Sequence, residues 1–167
     1  MDTPSDRELY SSQMMRLLLD CLAAIPLFAP LTSEELRQLA KYMFFLDFKE
    51  GDVVFREGDK GSYVCFVTDG ALKVSKRNKS GEETVITTLH KGHSIGEMAV
   101  IDDFPRSATV RAAGPAKLIT LTRKNFESLV ENHPQTGNKI LKGIARLLSI
   151  HLRKTSIQVA DCMLPVM

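Results

Sequence analysis

Cysteine is scarce in this chain. Cys21, Cys65 and Cys162 are the only three in 167 residues. They are odd in number, lie far apart and form no Cys-x-x-Cys pair, which argues against a disulfide framework and predicts reduced, mostly buried thiols in a reducing compartment. An excess of charge is also missing: 22 Lys and Arg against 20 Asp and Glu leave a net +2. With the basic residues spread along the chain, there is no electrostatic case for nucleic acid. Long apolar runs are absent as well. The uncharged stretch from Cys21 to Ser33 is too short to span a bilayer and contains Pro26 and Pro30. Asp2, Asp6 and Glu8 open the chain where a signal peptide would be basic, and Asp20 interrupts the apolar stretch. A soluble, cytoplasmic protein that contacts neither membrane nor nucleic acid is expected.

No catalytic pattern is present either. Nothing resembles a Ser-His-Asp or Cys-His arrangement, no pair of carboxylates stands out, and no enzyme is expected. His90 and His93 flank a Lys-Gly turn without a nearby carboxylate to complete a three-ligand set, and His133 sits elsewhere beside a proline. No metal or cofactor is expected; a metal-dependent enzyme on a small barrel would have to show bound metal after purification.

What the chain does contain is one ordinary domain with terminal extensions, long enough to bury a core. Met14, Leu18, Cys21, Leu22 and Ile25 form a helical stripe over residues from about Leu9 to Ile25, and Pro26 should stop it. Thr32 and Glu35 have capping-box spacing and start a second helix with Leu36, Leu39, Ala40 and Met43 on one face.

From Phe45 onward, short β-branched and aromatic runs alternate with glycine turns: Val53–Phe55, Tyr63–Val67, Leu72–Val74, Val85–Thr87, Ala108–Val110 and Leu118–Leu121. This spacing argues for a compact antiparallel barrel or double-sheet roll. Helical periodicity returns with Phe126, Leu129 and Val130. After Pro134 it continues through Ile140, Ile144, Leu147, Leu148, Ile150 and Leu152. The division expected is a helical extension at 1–25, a domain at 26–154 and a tail at 155–167.

The run Gly96-Glu97-Met98-Ala99-Val100-Ile101-Asp102-Asp103-Phe104-Pro105-Arg106-Ser107-Ala108-Thr109 speaks to chemistry. A Gly-Glu pair opens what reads as one helical turn, whose unpaired N–H groups and positive dipole end suit a phosphate. Arginine nine residues after the glutamate adds a planar fork of donors. A glutamate beside a phosphate would repel it, so it should face a donor such as a sugar hydroxyl. The competing reading is an ordinary loop in which Glu97 and Arg106 pair with each other.

This stretch resembles the phosphate-binding cassette of cyclic nucleotide-binding domains, as found in protein kinase A regulatory subunits and the catabolite activator protein. The resemblance covers about Ile25 to Lys154. It implies an α+β fold, an antiparallel β-roll flanked by N-terminal helices and a long C-terminal helix. It also implies cAMP or cGMP as ligand. Gly96, Glu97, Met98, Ala99, Arg106, Ser107 and Ala108 would hold phosphate and ribose, with Glu97 accepting the 2′-hydroxyl and Ile95 supporting the cassette. Val74, Ile86 and Thr87 would wall the base and ribose; read from the residues alone, Val74 and Ile86 are plain core. His151 falls where the family places an adenine contact, or is a surface histidine near a helix C-terminus.

Kinase A cassettes carry alanine at the position of Ser107, cGMP-preferring ones threonine and the catabolite activator protein serine. Ser107 therefore leaves the base open, with cAMP as first expectation. The thirteen residues after Lys154 are too few for a DNA-reading domain. The expectation is a sensor whose output passes through an unidentified protein effector or a homodimer formed by the C-terminal helix. The alternative is a structural or interaction module on the same fold that uses another ligand or none.

Overall fold

The computed structural model describes residues 4–78 and 80–163, with side chains described for 11–78 and 80–161. Helix α1 (Pro4–Ala23) stops just ahead of Pro26, which opens a 3-10 turn over Pro26–Phe28. The start of α2 (Ser33–Ala40) is a complete capping box: Glu35 N donates to Thr32 Oγ1 at 3.3 Å, and Thr32 N donates to Glu35 Oε2 at 2.7 Å.

Eight strands follow: β1 (Met43–Phe48), β2 (Val53–Phe55), β3 (Tyr63–Asp69), β4 (Ala71–Arg77), β5 (Glu83–His90), β6 (Ser94–Ile95), β7 (Thr109–Ala112) and β8 (Ala116–Thr122). They form two antiparallel four-stranded sheets, ordered β1-β8-β3-β6 and β2-β7-β4-β5. Neighbours distant in sequence make this a roll rather than a row of hairpins. Helices α3 (Arg123–Asn132) and α4 (Pro134–Met163) close the chain.

Alternation along the central strands explains their near-continuous apolar runs. In β3, Val64 and Phe66 face a cluster with Leu22, Phe28, Leu39, Leu129 and Ile140 under the helices, whereas Cys65 and Val67 face the roll interior with Leu72, Val74, Val110 and Leu118. Cys65 is buried there, and burial pushes its thiol up to about 11. Cys21 is half-buried; the Cys162 side chain lies outside the described residues.

Three expectations change. The helical face drawn through Met43 ends at Ala40, and Met43 instead opens β1 opposite Leu121, because cross-sheet pairing overrides the local period. Ile86 is not core: β5 is an edge strand, and Ile86 stands 59% exposed while Val74 is buried. Residues 155–163, read as tail, continue α4; residues 164–167 lie outside the described residues. Among the described residues no helix is long and apolar enough to cross a membrane.

Candidate functional site

The β6–β7 connection builds the site. Gly96 turns the chain with φ +82°, a conformation that favours glycine, and a 3-10 turn over Glu97–Val100 follows. The amides of Glu97 and Met98 precede the first bond within that turn, from Ala99 N to Gly96 O. The chain then crosses to Arg106, whose backbone is pinned on both sides to the β2–β3 loop: Arg106 N donates to Asp59 O at 2.8 Å and Gly58 N donates to Arg106 O at 2.9 Å.

Both charged side chains are buried, Glu97 at 7% exposure and Arg106 at 6%. The Arg106 guanidinium carbon lies 3.9 Å from the Phe55 ring centroid and 4.6 Å from that of Tyr63. Its Nη2 donates to Tyr63 O at 2.8 Å and Nη1 to Gly96 O at 3.4 Å. Tyr63 is itself fixed by its hydroxyl, which donates to Val54 O at 2.6 Å. Desolvation lowers the Arg106 pKa from its usual range, with Tyr63 opposing, yet a guanidinium stays protonated at neutral pH.

Glu97 and Arg106 do not neutralise each other; no ion pair among the described residues joins them. The surface-loop reading therefore fails. Instead, Glu97 Oε2 and Arg106 Nε are buried without hydrogen-bond partners. Buried polar groups are nearly always satisfied, so each such atom calls for an explanation. Both residues line a single cleft, together with Gly96, Met98, Ala99, Ser107 and Ala108 among others.

Every cassette residue named from the sequence thus lines one cavity, and Ile95 joins them. Of the four residues named as base and ribose wall, only His151 reaches the site. It lies on α4 with Nδ1 3.6 Å from Glu97 Oε1, an ion pair when the imidazole is protonated. Val74 belongs to the roll interior, and Ile86 and Thr87 are exposed on β5; none of the three lines the cleft.

Phe55, Tyr63, Gly61 and Arg123 escape a reading of the sequence. Phe55 and Tyr63 look like ordinary strand aromatics until the fold sets both rings, an edge-to-face pair, against the Arg106 guanidinium. A cation at the start of a helix, as Arg123 is, is the one available signal.

Burial raises the Glu97 pKa above its ordinary value; its own amide, His151 and Arg106 oppose the shift less strongly. A carboxyl that holds its proton more tightly when folded contributes stability below the unfolded pKa and loses it as pH rises through the folded one. Glu97→Gln should therefore raise the melting temperature of the ligand-free protein at pH 7, and the gain should vanish on lowering the pH below the unfolded value. A thermal-unfolding series over pH checks this; a gain independent of pH would contradict it.

The family model described as cyclic nucleotide-binding domain matches residues 45–133, just over half of the chain. A cAMP-dependent protein kinase regulatory subunit from Blastocladiella emersonii is 35% identical over 121 residues, 72% of this chain and 30% of that protein. The chain therefore spans less than a third of that curated relative. Among solved structures, a cyclic nucleotide-binding domain from Methylobacillus flagellatus KT superposes with a TM-score of 0.79 at 29% identity, covering 93% of this chain and 87% of the other. The catabolite activator protein of Thermus thermophilus gives 0.74 at 26% identity, over 82% of this chain and 62% of its own. With the roll, the cassette cleft and these similarities in agreement, the chain belongs to the cyclic nucleotide-binding domain family.

Proposed function

We propose that this protein is a sensor that binds cAMP or cGMP at the Glu97–Arg106 cleft and signals through α4. One observation carries the reading: Glu97 Oε2 and Arg106 Nε are buried and unpartnered on two residues that line the same cleft. A cyclic nucleotide supplies the complement of each. Its 2′-hydroxyl, the one ribose hydroxyl left free by cyclisation, donates to the carboxylate, and its phosphate oxygens accept from the guanidinium and the turn amides. Ser107, exposed at the cleft rim, leaves the base open.

Signalling requires a ligand whose affinity differs between two arrangements of α4. His151 gives α4 a contact with Glu97, so occupation of the ribose site bears directly on that helix. Further along α4, Leu152 and Val159 lie seven residues apart, as do Ile150 and Ile157, so each pair shares a face of the helix. Leu152 and Val159 are exposed. These features support output through a second copy or through a protein effector on the same helix. The binding role needs no catalytic group and no cofactor.

Thermal unfolding with cAMP, cGMP, 2′-deoxy-cAMP and 5′-AMP tests the proposal. Ligand at a hundred times its dissociation constant adds about 2.7 kcal/mol, a shift of roughly 5–10 °C for a domain of this size. One cyclic nucleotide should produce that shift. Glu97→Gln should weaken the ribose ligand about 10- to 100-fold, the worth of a charged hydrogen bond, and leave the 2′-deoxy analogue nearly unaffected. Equal losses for both would remove Glu97 from the ribose. No shift with either cyclic nucleotide would make the chain a ligand-silent module on this fold.

A further inference from the structure

Arg123 is the first residue of α3, the end at which the helix dipole disfavours a cation. Its side chain turns away from its own helix and back onto the cassette. Arg123 Nε donates to Ala99 O at 2.8 Å, Nη2 donates to Gly61 O at 3.3 Å and to Asp102 O, and Nη1 pairs with Asp103. The Ala99 and Asp102 carbonyls lie at the C-terminal end of the 3-10 turn, where backbone acceptors lack partners within the turn. One guanidinium, one-fifth exposed, thus caps the cassette turn from a different element.

The remaining packing leaves little slack. A Cβ at Gly61 would stand 2.7 Å from Ala99 Cβ and 3.4 Å from Arg106 Nε, so the β2–β3 loop, the turn and the cleft arginine are pressed together where Arg123 binds. At its other end α3 passes through His133, outside helical geometry, directly into α4, and the two helices pack on each other.

We infer that Arg123 is a positioning residue that makes the cassette turn and helix α3 move as one body, so that a ligand drawing on Glu97–Ile101 displaces α4. This rests on the nucleotide-binding reading above. Arg123 itself does not line the cleft. A polar link of this kind suits transmission, because several directional bonds to one rigid fork resist relative rotation of the two elements, which apolar contact alone permits.

Hydrogen exchange of the full chain, read by mass spectrometry with and without saturating cAMP, tests the inference in wild type, Arg123→Gln and Arg123→Lys. In wild type, cAMP should change exchange in 97–103, in α3 and in α4 together. In Arg123→Gln, protection of 97–103 should persist while the response of α3 and α4 disappears, and affinity should fall about tenfold, within the usual range of coupling between linked sites. Arg123→Lys keeps the charge and one donor direction, and should restore part of the α4 response. A full α4 response in Arg123→Gln, with only a lower melting temperature, would reduce Arg123 to a structural cap and overturn the inference.

Should wild type bind no cyclic nucleotide, the failure belongs to the proposed function. The clamp is then judged on the free protein. Common exchange of 97–103 and 123–132 that separates in Arg123→Gln supports it, and unchanged exchange overturns it.

Discussion

Arg106→Ala should lower the affinity for cAMP by roughly two to three orders of magnitude, about 3–4 kcal/mol. The expectation follows from what the guanidinium does in the structure. It is buried and charged, it lines the cleft, its Nε has no partner, and its position is held by the Phe55 and Tyr63 rings and by the carbonyls of Tyr63 and Gly96. Alanine removes the proposed charge partner of the phosphate and the guanidinium donors to the Tyr63 and Gly96 carbonyls, of which Gly96 O keeps Ala99 N. The free domain should therefore also lose about 1–3 kcal/mol of stability.

Arg106→Lys separates the two effects. Lysine retains a cation but not the fork or the flat face packed against the two rings, so binding should recover only partly. Calorimetric titration of folded protein, after urea denaturation has established the folded fraction, reads both quantities. Wild-type affinity in a folded Arg106→Ala protein would remove this residue from the site and with it the assignment of the cleft.

Gly96→Ala should be the most damaging single methyl in the chain's cassette. Two independent terms act there. The backbone sits at φ +82°, which costs a residue with a Cβ about 1–2 kcal/mol. In addition, the new Cβ would stand 2.3 Å from Arg106 Nη1 and 3.3 Å from Tyr63 O. Relieving that overlap means moving the guanidinium off its carbonyl partners, with a further overpacking cost of about 1–3 kcal/mol.

Gly58→Ala is the matched control. Gly58 has φ +87°, but a Cβ added there would meet nothing within 4 Å, so it should carry the backbone term alone. The difference in unfolding free energy between the two variants isolates the clash, and only Gly96→Ala should also weaken cAMP binding. Equal costs at the two glycines, with binding intact in both, would show that the Gly96–Arg106 approach is unimportant.

Much of the architecture is legible in the sequence because it rests on local chemistry. The Thr32–Glu35 capping box, the stops at Pro26 and Pro134 and the β-branched runs between glycine turns all act within a few residues, and each appears where its spacing places it. The departures have a common origin. Met43 continues a helical period but pairs with β8; Ile86 alternates like a core residue but lies on an edge strand; the stretch after Lys154, read as a tail, continues α4 to Met163. For Met43 and Ile86 the deciding partner, or its absence, is a matter of which strands the fold sets side by side.

The same division holds for the cleft. Sequence alone determined which chemistry was available: a Gly-Glu turn start and an arginine nine residues on, types and spacing suited to a ribose phosphate. Tertiary structure decided how that chemistry is deployed. It buried Glu97 and Arg106 without pairing them and set Phe55 and Tyr63 around the guanidinium. It also brought His151 to Glu97 from the far helix and turned Arg123 back onto the cassette. Hydrogen-bond donors and acceptors are properties of residues, and can be read one at a time. Whether a donor is left unsatisfied, and what moves with it, depends on groups that only packing brings together.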